Sequence, residues 1–217
     1  MSFIKNYVTL KPNIGGVIMI SDQEAFGICI RGSADDLAKL LASGYSASSP
    51  SESFCGNTLI HLAAYNRDLA KLKLLVESVP LENRTMALNR CNRYNLTPLF
   101  EACLVPPSPG AFCEQHPEAD AEAYARRFEN IMKKSVDVAD YLLQNNANPN
   151  TPRAKIGGDV PAKGKITALT LTEYINWQLS FRNHKNLAFE PLSQLKALIE
   201  NQIALNLKRL VERGKKI

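Results

Sequence analysis

The stretch GNTLIHLAAYNRDLAKLKLLVES, residues 56–78, constrains the fold more than any other part of this 217-residue chain. It reads as two short antiparallel helices: Gly56 permits a left-handed turn, Thr58 can cap the first helix and Asp68 can cap the second. Leu59, Ile60, Leu62, Ala63 and Ala64 fall on nearly every side of the first helix, so both of its flanks must be covered. A lone hairpin cannot do that. The chain therefore needs neighbouring hairpins of the same kind.

Candidates flank it on both sides. Asp22 opens a helix through Ile30, Gly32 breaks it, and Ser33 caps a second helix over 34–43 with Leu37, Leu40 and Leu41 inward, ended by Gly44. Residues 45–54, rich in Ser and carrying Pro50, suit an extended connector. Residues 78–95 are longer than such a connector needs, and Leu81, Met86 and Leu88 suggest an extra turn of helix or a partly packed loop. Asn95, tolerant of a left-handed conformation, precedes Thr97-Pro98-Leu99, a third helix start. After Leu104 the run PPSPGAFCEQHPEAD interrupts the helical pattern. From 118 to 144 the spacing of Tyr124, Phe128, Ile131 or Met132, Val136, Ala139, Leu142 and Leu143 predicts one helix of more than twice the usual length. A second connector covers 150–165, a further helix runs from Leu171 to about Phe181, and Leu192, Leu195, Ile199, Ile203, Leu207 and Leu210 mark a closing helix ended by Gly214.

The order Gly56, Thr58, His61, Ala63, Ala64 and the pair Leu74-Leu75 resembles an ankyrin repeat, whose pattern runs G-x-T-P-L-H-x-A-A, a short turn, then a second helix ending in L-L-x-x-G-A. Leu59 replaces the usual Pro. Thr97-Pro98-Leu99-Phe100-Glu101-Ala102-Cys103 is similar to the same signature, with Phe100 where His is usual and Asn95 at the glycine position. VDVADYLLQNNANPN, 136–150, looks like the family's second helix and its exit, and DLAKLLASG, 36–44, is similar to it; Thr167-Ala168-Leu169 echoes T-P-L weakly. Thr58 and Thr97 stand 39 residues apart, a little over one period of about 33, and the excess lies in the connector.

The resemblance implies an all-α fold: an ankyrin-repeat solenoid of about four helical hairpins. Its repeats would be 22–53, 54–94, 95–163 with an insertion over 105–134, and a divergent 164–217 with a long C-terminal closing helix. Residues 1–21 would form an irregular cap, in which Tyr7 to Leu10 and Val17 to Ile20 could pair as a short β-hairpin. It also implies a non-catalytic protein-protein interaction module or scaffold that binds a partner protein through finger loops and a concave helix face. Divergent, insertion-bearing arrays rich in Asn and Lys resemble effectors that intracellular bacteria deliver into host cells.

Composition sets bounds on this reading. At 45% hydrophobic and 22% charged residues the chain matches an ordinary globular protein. The net charge of +5 reads as modest and spread along the chain, against a dedicated nucleic-acid surface. No apolar run approaches the roughly 20 residues of a membrane span, and residues 1–11 lack a signal-peptide core. Five cysteines, Cys29, Cys55, Cys91, Cys103 and Cys113, have no paired spacing, which favours reduced thiols. These features predict a cytoplasmic monomer, or one secreted into a host cytosol, with no nucleic-acid or membrane partner.

Chemistry-bearing motifs are sparse. His61 is a candidate base, but in the ankyrin family this position hydrogen-bonds backbone, which gives it, with Gly56, Thr58, Asn95, Thr97 and Pro98, a structural role. Cys113 and His116 have C-x-x-H spacing without the second pair a zinc site needs, so no metal and no cofactor is expected. Glu114, Glu118, Asp120 and Glu122 suit a helix N-terminus. Phosphate-binding loops and the G-x-S-x-G elbow are absent. Arg126, Arg127, Lys133 and Lys134 fit a solvated helix face better than an RNA surface. Partner contact is assigned to Phe54, Arg90, Asn92, Arg93, Tyr94, Arg153 and Lys155, because exposed Arg and aromatic residues are enriched at interaction hot spots. The chain reads as a non-enzyme. An alternative of another class is a small enzyme or ligand-binding protein, with a site built by insertions around Cys113 and His116 or His184.

Overall fold

The computed structural model describes residues 20–106, 116, 120–150, 154–156, 167–180 and 189–214. Helices dominate them. The first hairpin is α1 (Asp22–Arg31) and α2 (Ala34–Ala42). Both helices open with reciprocal capping boxes, Ser21 with Glu24 and Ser33 with Asp36, which satisfy backbone donors that would otherwise lack partners. Gly44, at φ +93°, ends the unit. The second hairpin is α3 (Leu59–Tyr65), capped by Thr58, and α4 (Leu69–Ser78), capped by Asp68. A short helix, α5 (Leu81–Leu88), follows. Ala87 and Leu88 of α5 face the core, while Leu81 and Met86 are exposed.

The third hairpin begins with α6 (Pro98–Cys103), whose proline occupies the first turn, where no intrahelical N–H is needed. Its second helix is α7 (Ala121–Gln144), 24 residues capped by Asp120. α8 (Leu171–Ser180) and α9 (Phe189–Gly214) complete the chain of pairs. Within each pair the two helices touch. The first helices α1, α3 and α6 also touch in sequence, and the second helices α2, α4, α7 and α9 do likewise. Such a ladder buries α3 on both flanks, the requirement its all-round apolar surface sets. Leu59, Ile60, Ala63 and Ala64 are at most 1% exposed.

Polar ties join successive hairpins. Lys71 Nζ of α4 donates to the Cys29 carbonyl of α1 at 2.8 Å, and the Cys29 thiol points to the Leu59 carbonyl at 3.8 Å. Further along, the Val105 N–H donates to the Tyr174 hydroxyl at 2.9 Å. Phe100 sits 5.4 Å from the Tyr174 ring. An aromatic contact thus stands at α6 where α3 carries a histidine.

Three expectations are corrected. The array is not purely helical: the weak T-P-L echo at Thr167–Leu169 is a strand, β2, paired antiparallel with β1 (Ala154–Ile156), with Lys155 opposite Ala168. Thr170 follows it, and the Thr170 hydroxyl accepts from the Glu173 N–H at 3.2 Å, so α8 starts at Leu171, where its apolar spacing places it. The long helix begins at Ala121 rather than 118, because Asp120 provides the cap. The apolar stripe of α9 is only half used. Leu192, Leu195 and Ile199 are buried, but Leu207 and Leu210 are 58% and 62% exposed, because the helix is longer than the surface of α7 and α8 that it packs on. The expected β-hairpin of the N-terminal cap lies outside the described residues, as do Cys113, Arg153, His184 and most of the 105–120 segment.

Among the described residues no helix is long and apolar enough to cross a membrane. The bases on α7 lie outward, with Arg126 paired to Glu122 at 2.7 Å and Lys133 to Glu129 at 2.8 Å. Both are solvent-facing pairs at helical spacing, of the kind that contributes little to stability.

Candidate functional site

The connectors that precede α3 and α6 lie against each other and are joined by hydrogen bonds. In the first, the Ser51 N–H donates to the Asn57 carbonyl at 2.9 Å, and the chain turns through Cys55 and Gly56 at φ +57° and +77°. In the second, the Asn92 N–H donates to the Leu96 carbonyl at 3.0 Å, with Asn95 at φ +58°. Glycine and asparagine thus hold the left-handed position two residues before each capping threonine, the two residue types that tolerate it best, and the first connector carries a second left-handed residue in Cys55.

Two direct bonds tie the loops together. The Arg93 N–H donates to the Cys55 carbonyl at 2.9 Å, and Asn92 Nδ2 donates to Asn57 Oδ1 at 2.8 Å. A Cβ on Gly56 would stand 3.4 Å from the Arg93 nitrogen, an ordinary contact, so it is the positive φ rather than crowding that favours glycine here. At the rim, the Tyr94 hydroxyl lies 3.6 Å from the Cys55 sulfur.

Beneath the rim is a buried hydrogen-bonded network. Asn92 is 6% exposed; its Oδ1 accepts from the N–H groups of Tyr94 and Leu96 at 2.9 and 3.0 Å, and its Nδ2 also donates to Glu101 Oε1 at 3.1 Å. His61 Nδ1 accepts from the Thr58 N–H at 3.3 Å, which leaves Nε2–H to donate to the Leu96 carbonyl at 3.1 Å. Burial pushes the imidazole down to about 4, against the pull of the Leu96 and Arg90 carbonyls. A ring held neutral in this way supports backbone and is badly placed for proton transfer. Burial also raises the Glu101 carboxyl to about 7, although the Arg67 guanidinium and the Asn92 amide draw it down.

Arg67 supplies the other side of this network. It sits at φ +54° in the turn between α3 and α4. Its guanidinium donates to the carbonyls of Tyr65 and Leu104, and its Nε to Ser135 Oγ of α7 at 3.2 Å. One side chain thereby spans the second and third hairpins.

The predicted partner-contact residues divide accordingly. Arg93 and Tyr94 are exposed and adjacent on the rim. Phe54 is half-buried and stacks on Phe26 of α1 with ring centroids 4.1 Å apart, so it packs the connector down while showing one edge. Arg90 is half-buried, with its Nε shielded from solvent. Asn92 is corrected: it is a buried bracket between loops, because its amide satisfies four groups at once. Lys155 lies on β1, away in sequence from both loops, and Arg153 falls outside the described residues. Of the alternative pair, His116 is exposed.

Asn57, Arg67, Glu101 and Ser135 were not singled out by sequence reasoning. Glu101 carried a readable signal, being the one charged residue in PLFEAC, a helix whose every side is apolar. Arg67 carried none, since a basic residue in an inter-helix turn is ordinary. Comparison with family models, with curated proteins and with solved structures returned no match for this chain.

Proposed function

We propose that the chain is a divergent ankyrin-type array that serves as a non-catalytic recognition module, binding a partner protein through the paired connectors at 51–57 and 90–96. The observation that carries this reading is the bonded pair of loops, with Arg93 and Tyr94 exposed above a bracket of buried Asn92 and Glu101 and half-buried Asn57. A rim held by buried hydrogen bonds presents its side chains without paying ordering entropy on binding. Arg and Tyr are the residue types that contribute most at protein interfaces. The ankyrin assignment rests on the motif residues together with the side-by-side order of the hairpins. Delivery into a host cytosol, as for the bacterial effectors that the sequence resembles, is the cellular setting this reading favours.

The test is affinity capture from a lysate with the intact chain and with Arg93→Ala/Tyr94→Ala. Partners retained by the intact chain and lost by the variant, at unchanged thermal stability, support the reading. A capture profile identical for both proteins overturns the assignment of this rim.

A further inference from the structure

The last three turns of α9 form a surface that no part of the described structure covers. The stripe that begins with the buried Leu192, Leu195 and Ile199 continues at three- and four-residue steps through Ile203, Leu207, Leu210 and Val211, so all of these lie along one face of the helix. Ile203 is half-buried, whereas Leu207, Leu210 and Val211 are all more than half exposed. Apolar side chains here meet water in a row.

The same stretch of sequence carries most of the net charge. Residues 204–217 contain Lys208, Arg209, Arg213, Lys215 and Lys216 against the single acid Glu212, which is +4 of the chain's net +5. The charge is thus not spread along the chain, as composition alone suggests; the first 203 residues are nearly neutral. Lys208 and Arg209 are exposed and lie outside the leucine stripe.

We infer that this end of α9 is a peripheral docking element for an anionic lipid surface. An apolar stripe flanked by Lys and Arg on a helix is what settles at the boundary of headgroups and acyl chains, with leucines inserted and cations against phosphates. The stripe runs along the convex surface of a single helix, so it suits a planar, deformable surface better than a partner's helix. A second copy of the chain is a poor occupant, because pairing the stripes would bring two clusters of +4 together. This element is separate from the connector rim, and neither proposal depends on the other.

The experiment is co-sedimentation of the full chain with vesicles of phosphatidylcholine alone and of phosphatidylcholine with phosphatidylserine. The expected result is about tenfold or greater preference for the anionic vesicles in low salt. That preference should disappear near 1 M salt, where the screening length falls to about 3 Å. Lys208→Glu/Arg209→Glu should abolish the preference, and Leu207→Ser/Leu210→Ser should weaken binding to both vesicles. All four side chains are exposed, and circular dichroism of each variant checks that the helix is retained. Equal binding to both vesicle types, no sedimentation with either, an unaltered preference in the charge-reversed variant, or a dimer dissociated by the Leu207→Ser/Leu210→Ser change would each overturn the proposal. Capture of an acidic protein through α9 without vesicle binding would do so too.

Discussion

His61 Nε2 lies 3.1 Å from the carbonyl oxygen of Leu96, the residue immediately before the Thr97 cap, so one imidazole fixes the start of its own helix and the approach to the next. Replacing it with Ala leaves the buried Thr58 N–H without its acceptor and the Leu96 carbonyl with only the Asn92 N–H. The expected cost is about 2–4 kcal/mol in chemical denaturation. His61→Gln, which can still donate to Leu96, should recover part of it.

The same histidine and Glu101 respond to pH in opposite directions. His61 has its folded value lowered to about 4, so its contribution is complete above its unfolded value near 6.5 and is lost as pH falls toward 4. Glu101 has its folded value raised to about 7 from 4.5, so its neutral form favours the fold at low pH and that advantage is lost as pH rises through 7. Between 4.5 and 6.5 the two slopes oppose each other. Glu101→Gln should therefore gain stability relative to the parent as pH rises from 4.5 to 7, by about 2–3 kcal/mol in all. Denaturant midpoints across that range check it, and a difference that stays constant with pH would refute it.

Arg67 is expected to matter through geometry as well as charge. Lysine keeps the cation but cannot reach Tyr65, Leu104 and Ser135 at once, so Arg67→Lys should cost about 2–3 kcal/mol. Hydrogen exchange should quicken at the end of α6 and around Ser135. A variant as stable as the parent would show that these bonds contribute nothing net.

Two left-handed positions allow a paired test. Asn146, at φ +69°, ends α7, and Asn146→Gly should stabilise by about 0.5–1 kcal/mol by relieving its side chain of a strained conformation. Gly56→Ala, at φ +77° beside the Arg93 nitrogen, should destabilise by about 1–2 kcal/mol. Thermal denaturation of both measures the difference in sign.

Within the rim, Asn92→Ala and Tyr94→Ala should separate stability from binding. The first removes the bracket and should cost about 2–3 kcal/mol, while the second, at a side chain 47% exposed, should change stability by less than about 0.5 kcal/mol. Equal losses in urea denaturation would mean that Tyr94 is as much a part of the scaffold as Asn92.

Much of the helical order was legible because it depends on local chemistry. Ser33, Thr58, Asp68 and Thr97 cap the helices their positions announce, and Asn95 adopts the left-handed turn expected of it. The interior of the connectors was not legible in this way. Asn92 looks like any polar loop residue until Asn57, 35 residues earlier, is placed against it, and no local pattern encodes that meeting. The strand at Thr167–Leu169 was hidden for a related reason. A threonine before a small apolar run suits a helix cap or a strand equally, and pairing with Ala154–Ile156 decides between them. The extent of α9 was predicted from its periodicity, but periodicity cannot say where the neighbouring helices stop.

Helix α5 lies between the second and third hairpins with Leu81 and Met86 turned to water, while Asn89 at its exit is fastened to the far end of α7: its Nδ2 donates to the Asn146 carbonyl at 3.2 Å and its Oδ1 accepts from the Asn148 N–H at 2.6 Å. A detour pinned at its downstream end can change length without moving what comes after it. Foreign peptide grafted between Pro80 and Met86 should therefore be tolerated, which makes this outer bulge the natural place to attach a label or tether while both faces proposed for recognition stay untouched.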